Sequence, residues 1–131
     1  MKENRIHQKF ENLNNALTKL HDVLEMPIDK DRIVLDAAIQ RFEFNYELFW
    51  KILKILLEEQ GIQATTPKEV FKEAYAAEWL TNEKIWLDMI RDRNTTSHVY
   101  NEKIALEIHS HLKVYYPEMK KVFDFLKNKF S

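Results

Sequence analysis

LDAAIQRFEFNYELFWKILKILLEEQG, residues 35–61, decides the fold. Apolar side chains at Leu35, Ile39, Phe42, Tyr46, Phe49, Leu53 and Leu56 recur three or four apart, the spacing of one helix face. A second series, Phe44, Leu48, Ile52 and Ile55, widens the apolar surface beyond that face. Such breadth predicts burial on two sides: the core of a helical bundle and a further surface, such as a second copy of the chain. Gly61 is placed to end the helix in a left-handed cap, and Asp29 or Asp31 to cap its start. A helix of about 30 residues is ~45 Å long.

On the N-terminal side, Phe10, Leu13, Leu17, Leu20 and Leu24 repeat the same spacing, predicting a helix over residues 4–25 that Pro27 ends. On the C-terminal side, Thr66-Pro67-Lys68-Glu69 has the form of a helix start. Thr66 is the N-cap, Pro67 takes the first helical position and Glu69 completes a capping box. This third helix is predicted to reach about Trp79. Thr81 or Asn82 caps a fourth, with Ile85, Trp86, Met89 and Ile90 on one face. The pattern fades at Asn94-Thr95-Thr96-Ser97, whose side chains compete for backbone hydrogen bonds and predict a helix break. Asn101 then caps a last helix carrying Ile104, Ile108, Leu112 and Tyr115, which Pro117 is expected to kink or restart before Val122, Phe123, Leu126 and Phe130. Matched helix lengths predict an all-α, up-and-down antiparallel bundle of about five helices, with residues 1–131 forming one domain.

Composition narrows the chemistry. The 131 residues are 45% hydrophobic and 31% charged, a globular balance. With no cysteine there is no disulfide, thiolate nucleophile or Cys-ligated zinc, and the expected compartment is the reducing cytoplasm. A single glycine excludes glycine-rich phosphate loops and dinucleotide fingerprints. No secretory signal is visible, and Lys51 and Lys54 interrupt the most apolar segment, so no membrane span is expected. A net charge of -1 rules out a general nucleic-acid coat but leaves room for a local basic site.

That site is sought in residues 91–100, where Arg91, Asp92, Arg93, Asn94, Ser97, His98 and Tyr100 gather at the predicted break. A guanidinium fork binds phosphate, an imidazole moves a proton at neutral pH, and a phenol donates or accepts. The plainer alternative is a polar helix end with a capping Asn. In an unbroken helix Arg93, Ser97 and Tyr100 share a face and His98 points about 140° away. Arg93 and His98 therefore meet on one phosphate only if the helix breaks or a symmetry mate completes the site. Glu43, Glu47 and Lys51, spaced by four, are more often a surface salt-bridge ladder; the alternative is an acidic row supporting a functional Arg. His109 and His111 lie about 200° apart on a helix and cannot share an ion. They, like His7 and His21, are expected to be ordinary solvated or half-buried helix residues, and no metal or cofactor is expected.

Three blocks carry a family likeness: QRFEF through ELFWK at residues 40–51, PKEV at 67–70, and WLDMIRDRNTTSHVYNE at 86–102, which holds an Arg-x4-His-x-Tyr signature. Over most of the chain from about residue 35, the sequence resembles the nucleotidyltransferase substrate-binding family, a branch of the HEPN superfamily that includes HepT-type toxins. Phe49 is bulkier than the small residue expected before the family's Trp. The resemblance implies a helical subunit, commonly a homodimer, working with a separate small nucleotidyltransferase. It assigns metal-independent RNA cleavage to Arg93 and His98, with Asn94, Ser97 and Arg91 binding substrate. It makes Tyr100 the acceptor of adenylyl groups from the partner. The same residues would serve a non-catalytic subunit that only holds an RNA or nucleotide substrate.

Overall fold

The computed structural model describes residues 2–28 and 32–131. Five α-helices account for nearly all of them: α1 (Lys2–Leu24), α2 (Ile33–Glu59), α3 (Pro67–Ala76), α4 (Glu83–Thr95) and α5 (Glu102–Phe130), with a short 3-10 turn at Thr96–His98 between the last two. Among the described residues there is no β-strand.

Helix starts follow local chemistry. The Thr66 side chain accepts from the Glu69 amide, Asn82 from Ile85 and Asn101 from Ile104. The return arm of the capping box lands one residue early, because Glu69 Oε2 accepts from the Thr65 amide at 3.2 Å. Gly61, at φ 80, closes α2: its amide donates to Glu58 O and the Ile62 amide to Leu57 O, satisfying two carbonyls that the helix leaves free. The caps expected for α2 at Asp29 or Asp31 lie outside the described residues. Arg32 occupies the N-cap position in the left-handed region, φ 64, without a side-chain cap.

Two expectations needed correction. α3 ends at Ala76, where Glu78, at φ 65, takes the left-handed turn. Pro117 does not restart a helix: α5 is continuous across it. Pro117 and Lys113 are both exposed, so the Lys113 carbonyl that lacks an amide partner faces water.

Side-chain pairs fix the helix directions. Phe10 packs on Phe123 and His21 on Tyr116, so α1 runs antiparallel to α5. Buried Asn45 of α2 donates to Ala16 O of α1 and to Arg41 O within its own helix, both at 2.9 Å. Trp86 of α4 meets Phe49 and donates to Glu118 of α5, while Arg93 lies by Glu43 and Asp92 by His111. α4 therefore runs antiparallel to both α2 and α5. One hydrophobic cluster draws on all five helices, from Phe10 and Leu13 through Phe42, Phe71 and Trp86 to Phe123. Phe49 is fully buried, its ring edge-on to Trp86 at 5.1 Å, so the bulk at that position is absorbed by the core. The second apolar stripe of α2 divides. Ile52 joins the core, Leu48 and Ile55 are half-buried, and Phe44 stays 51% exposed.

Candidate functional site

The last turn of α4 is fastened on two sides by consecutive residues. Asp92 faces α5 and Arg93 faces α2, as a 100° step per residue requires. Arg93 Nη1 lies 3.1 Å from Glu43 Oε2 and donates to Thr96 Oγ1 at 3.1 Å. Its Nε stands 3.7 Å from Glu47 Oε1, an ion pair too long for a hydrogen bond, and makes none. Glu47 also accepts from Trp50 Nε1 at 3.0 Å and meets Lys51 at 3.7 Å. Both readings of the acidic row thus have a place: Glu47 pairs along its helix with Lys51, while Glu43 and Glu47 together orient Arg93. Beneath them Tyr46 is buried, and burial, then the Glu47 carboxylate, push its hydroxyl up to about 12 against the pull of Arg93.

The helix breaks where Asn94-Thr95-Thr96-Ser97 predicted it would. Thr96 is buried and its hydroxyl donates to Arg93 O at 2.7 Å, turning the side chain back on the helix end. Thr95 does likewise to Arg91 O and Ser97 to Asn94 O. Beyond the break His98 and Tyr100 are exposed, Tyr100 by 80%, with ring centroids 6.1 Å apart in an edge-on pair. The stretch between them is held from the N-cap of α2, since Arg32 Nη2 donates to Val99 O at 2.7 Å. Arg93, Glu43, Glu47 and Thr96 form one connected group, and His98 and Tyr100 form a second on the adjoining loop. No hydrogen bond or ion pair among the described residues joins Arg93 to His98. Asn94 and Ser97 are exposed at the edge of the break. Arg91 turns the other way, to Asp88 at 3.5 Å and Asp92 at 3.6 Å.

The α5 side of α4 brings together groups that the sequence offers separately. Asp92 is 4% exposed and accepts from the Tyr115 hydroxyl; His111 Nδ1 lies 2.8 Å from the same oxygen. Burial, then that bond to Asp92, raise Tyr115 far above the ordinary tyrosine range. His109 points elsewhere: it is buried, its Nε2 has no partner, and burial, then Lys113, lower its pKa. His109 departs from the expectation in being buried; His111 is half-buried as expected, and its tie to a buried carboxylate is a contact between residues 19 apart that no local pattern signals. Asn45 escaped notice for the same reason.

A helical bundle with a polar, partly anchored break between its last two helices is the architecture these contacts define. The chain belongs to the family described as nucleotidyltransferase substrate binding protein like, whose model matches residues 8–128. It is 26% identical over 118 residues to a Haemophilus influenzae protein named probable ribonuclease HepT, the match covering 83% of this chain and 80% of that protein. A crystal structure from Thermus thermophilus superposes with a TM-score of 0.80 at 35% identity, over 87% of this chain and 98% of that one. A structure from Haemophilus influenzae, reported to reveal the fold of a substrate binding domain of a nucleotidyltransferase, matches with a TM-score of 0.72 at 24% identity. It covers 95% of this chain and 98% of that one, and this likeness shows the shared fold.

Proposed function

We propose that this chain is a single-domain companion subunit of a separate small nucleotidyltransferase and that its helix break is a metal-independent ribonuclease site of the HepT type. The observation that carries the reading is Arg93 set on Glu43, Glu47 and Thr96 at the break, with His98 and Tyr100 exposed on the loop beyond. A free Arg side chain is mobile; this one is held, so its remaining N–H donors meet a phosphate at low entropic cost. His98 takes the proton of a ribose 2′-hydroxyl, whose oxygen attacks phosphorus as the bond to the 5′-oxygen breaks. Arg93 stabilises the charge that builds on the phosphoryl oxygens, and the 5′-oxygen leaves with a proton from solvent. Asn94 and Ser97, at the edge of the break, contact the substrate; Arg91, turned towards Asp92, acts at longer range. We place the protein in the cytoplasm as a homodimer; among the described residues no helix is long and apolar enough to cross a membrane.

Tyr100 serves as the switch. Its 80% exposure leaves the hydroxyl open to a partner enzyme, which would attach AMP from ATP with release of pyrophosphate. The added phosphate is an anion beside Arg93 and His98 and competes with RNA for them. In a toxin–antitoxin pair this modification would silence the toxin.

Purified protein is expected to cleave single-stranded or transfer RNA, and Arg93→Ala or His98→Ala to abolish cleavage with the fold intact by circular dichroism. Intact mass after incubation with the cognate nucleotidyltransferase and ATP checks Tyr100; no AMP adduct would remove the switch. A second reading, a non-catalytic subunit that presents substrate to the nucleotidyltransferase, is favoured by the description of the family as substrate binding protein like. Wild type without cleavage or growth toxicity selects it.

A further inference from the structure

An open cleft of about 860 Å³ lies between the first turns of α2 and the loop before α5, lined among others by Arg32, Asp36, Gln40, Glu43, Val99 and Tyr100. Its walls are braced. Arg32 donates to Asp36 Oδ1 at 3.0 Å and to Val99 O at 2.7 Å, and its backbone is kept at φ 64, a strained conformation that persists only where surroundings hold it. Glu43 belongs both to this cleft and to the Arg93 anchor, so the two are contiguous.

The lining offers hydrogen-bonding groups that suit a base. Two carboxylates, Asp36 paired with Arg32 at 3.0 Å and Glu43 paired with Arg93 at 3.1 Å, keep lone pairs that accept from exocyclic amino groups, which uracil lacks. Gln40 is exposed with no hydrogen-bond partner among the described residues, and its amide offers the donor and acceptor that pair with N7 and N6 of adenine. The Tyr100 ring, 80% exposed and supported edge-on by His98, is an open platform for a base pulled out of its stack.

We propose that this cleft is a nucleobase subsite: an unpaired adenine of single-stranded RNA stacks on Tyr100 and is read by Gln40, while an adjoining phosphate lies at Arg93. The inference rests on the RNA reading above and deepens it. It also gives the switch a second component, because an AMP carried on Tyr100 brings its own adenine to the same cleft.

The test uses the full chain and two fluorescent oligonucleotides, one all-uridine and one with a single central adenosine, both 2′-O-methylated so that in-line cleavage cannot occur. By anisotropy, wild type should bind the adenosine probe roughly tenfold more tightly, the discrimination expected of one good bidentate pair. Gln40→Ala should erase the preference. Tyr100→Ala should weaken the adenosine probe about tenfold through loss of one stack, and Tyr100→Phe should keep it. Equal binding of the two probes by wild type overturns the subsite, as does wild-type affinity in Tyr100→Ala. The two proposals separate cleanly. Cleavage of natural RNA without base preference leaves the ribonuclease and removes the subsite; adenosine-selective binding without cleavage does the reverse.

Discussion

Replacing Asp92 with Ala tests the clamp that holds the end of α4. The carboxylate accepts from the Tyr115 hydroxyl and lies 2.8 Å from His111 Nδ1, with Arg91 Nε at 3.6 Å. His111 and Arg91 side chains are 34% and 61% exposed, so both turn to water when the carboxylate is gone and contribute little to the loss. Tyr115 cannot. It is 3% exposed, and its hydroxyl would be left buried without an acceptor. A charge-assisted bond lost together with an orphaned donor costs about 2–3 kcal/mol. At this chain length 1 kcal/mol corresponds to about 3–5 °C, so the melting temperature should fall by roughly 10 °C. Urea unfolding of the wild type, Asp92→Ala, Tyr115→Phe and the double variant gives the full cycle. Removing the hydroxyl removes the orphan, so the double variant should be more stable than the two single losses predict, by about 1–2 kcal/mol. A single-variant loss below about 0.5 kcal/mol, or strict additivity, would refute the clamp as described.

Two further outcomes follow from local features. His109 titrates low in the folded chain because it is buried, so the unfolded chain takes up a proton first as pH falls. Its contribution to stability is present above about pH 6.5, the unfolded value, and is lost as pH drops towards the folded one; His109→Leu should lose less stability than wild type between pH 7.5 and pH 5 in urea titrations. Gly61→Ala meets no atom within 4 Å of the new Cβ, so only the backbone at φ 80 resists it. The expected loss is about 1 kcal/mol, and an unchanged urea midpoint would show that α2 can end another way.

What the sequence made legible was local. Thr66, Asn82, Asn101 and Gly61 announce helix ends because each satisfies backbone groups within four residues of itself. The break was visible for the same reason, since Thr95, Thr96 and Ser97 bond to carbonyls three or four residues back. Pro117 misled because the cost of a proline depends on what surrounds it. Tyr115, Met119, Val122 and Leu126 are buried on the inner face and hold the helix while the unpaired carbonyl faces water. The rest depended on register between helices. The spacing of Glu43 and Glu47 offers an acidic row to an Arg, but nothing near them says that it is Arg93, fifty residues on, and nothing near Asp92 says that it meets Tyr115 and His111. Such pairings arise only when α4 is laid antiparallel between α2 and α5. The candidate residues were therefore nameable from sequence, but their division into an anchored Arg93 group and an exposed His98–Tyr100 group was not.

That division bears on how two copies of the chain would act. If Arg93 and His98 of one chain serve one phosphate, the phosphate must lie between the guanidinium tied to Glu43 and Thr96 and the loop that follows it. If instead the proposed homodimer brings His98 of one protomer to Arg93 of its partner, each two-fold-related site is built from both chains. Mixing inactive Arg93→Ala and His98→Ala proteins separates the alternatives. With shared sites, half of the mixed dimers are heterodimers, and one of their two sites carries both intact residues. Activity should then recover to roughly a quarter of wild type after subunit exchange. With sites confined to one chain, every site lacks one group and the mixture stays dead. Recovery on mixing, absent from either variant alone, would show that RNA cleavage by this fold needs two copies. Its failure in a mixture shown by mass spectrometry to contain heterodimers would place both groups on one loop and one helix end of the same chain.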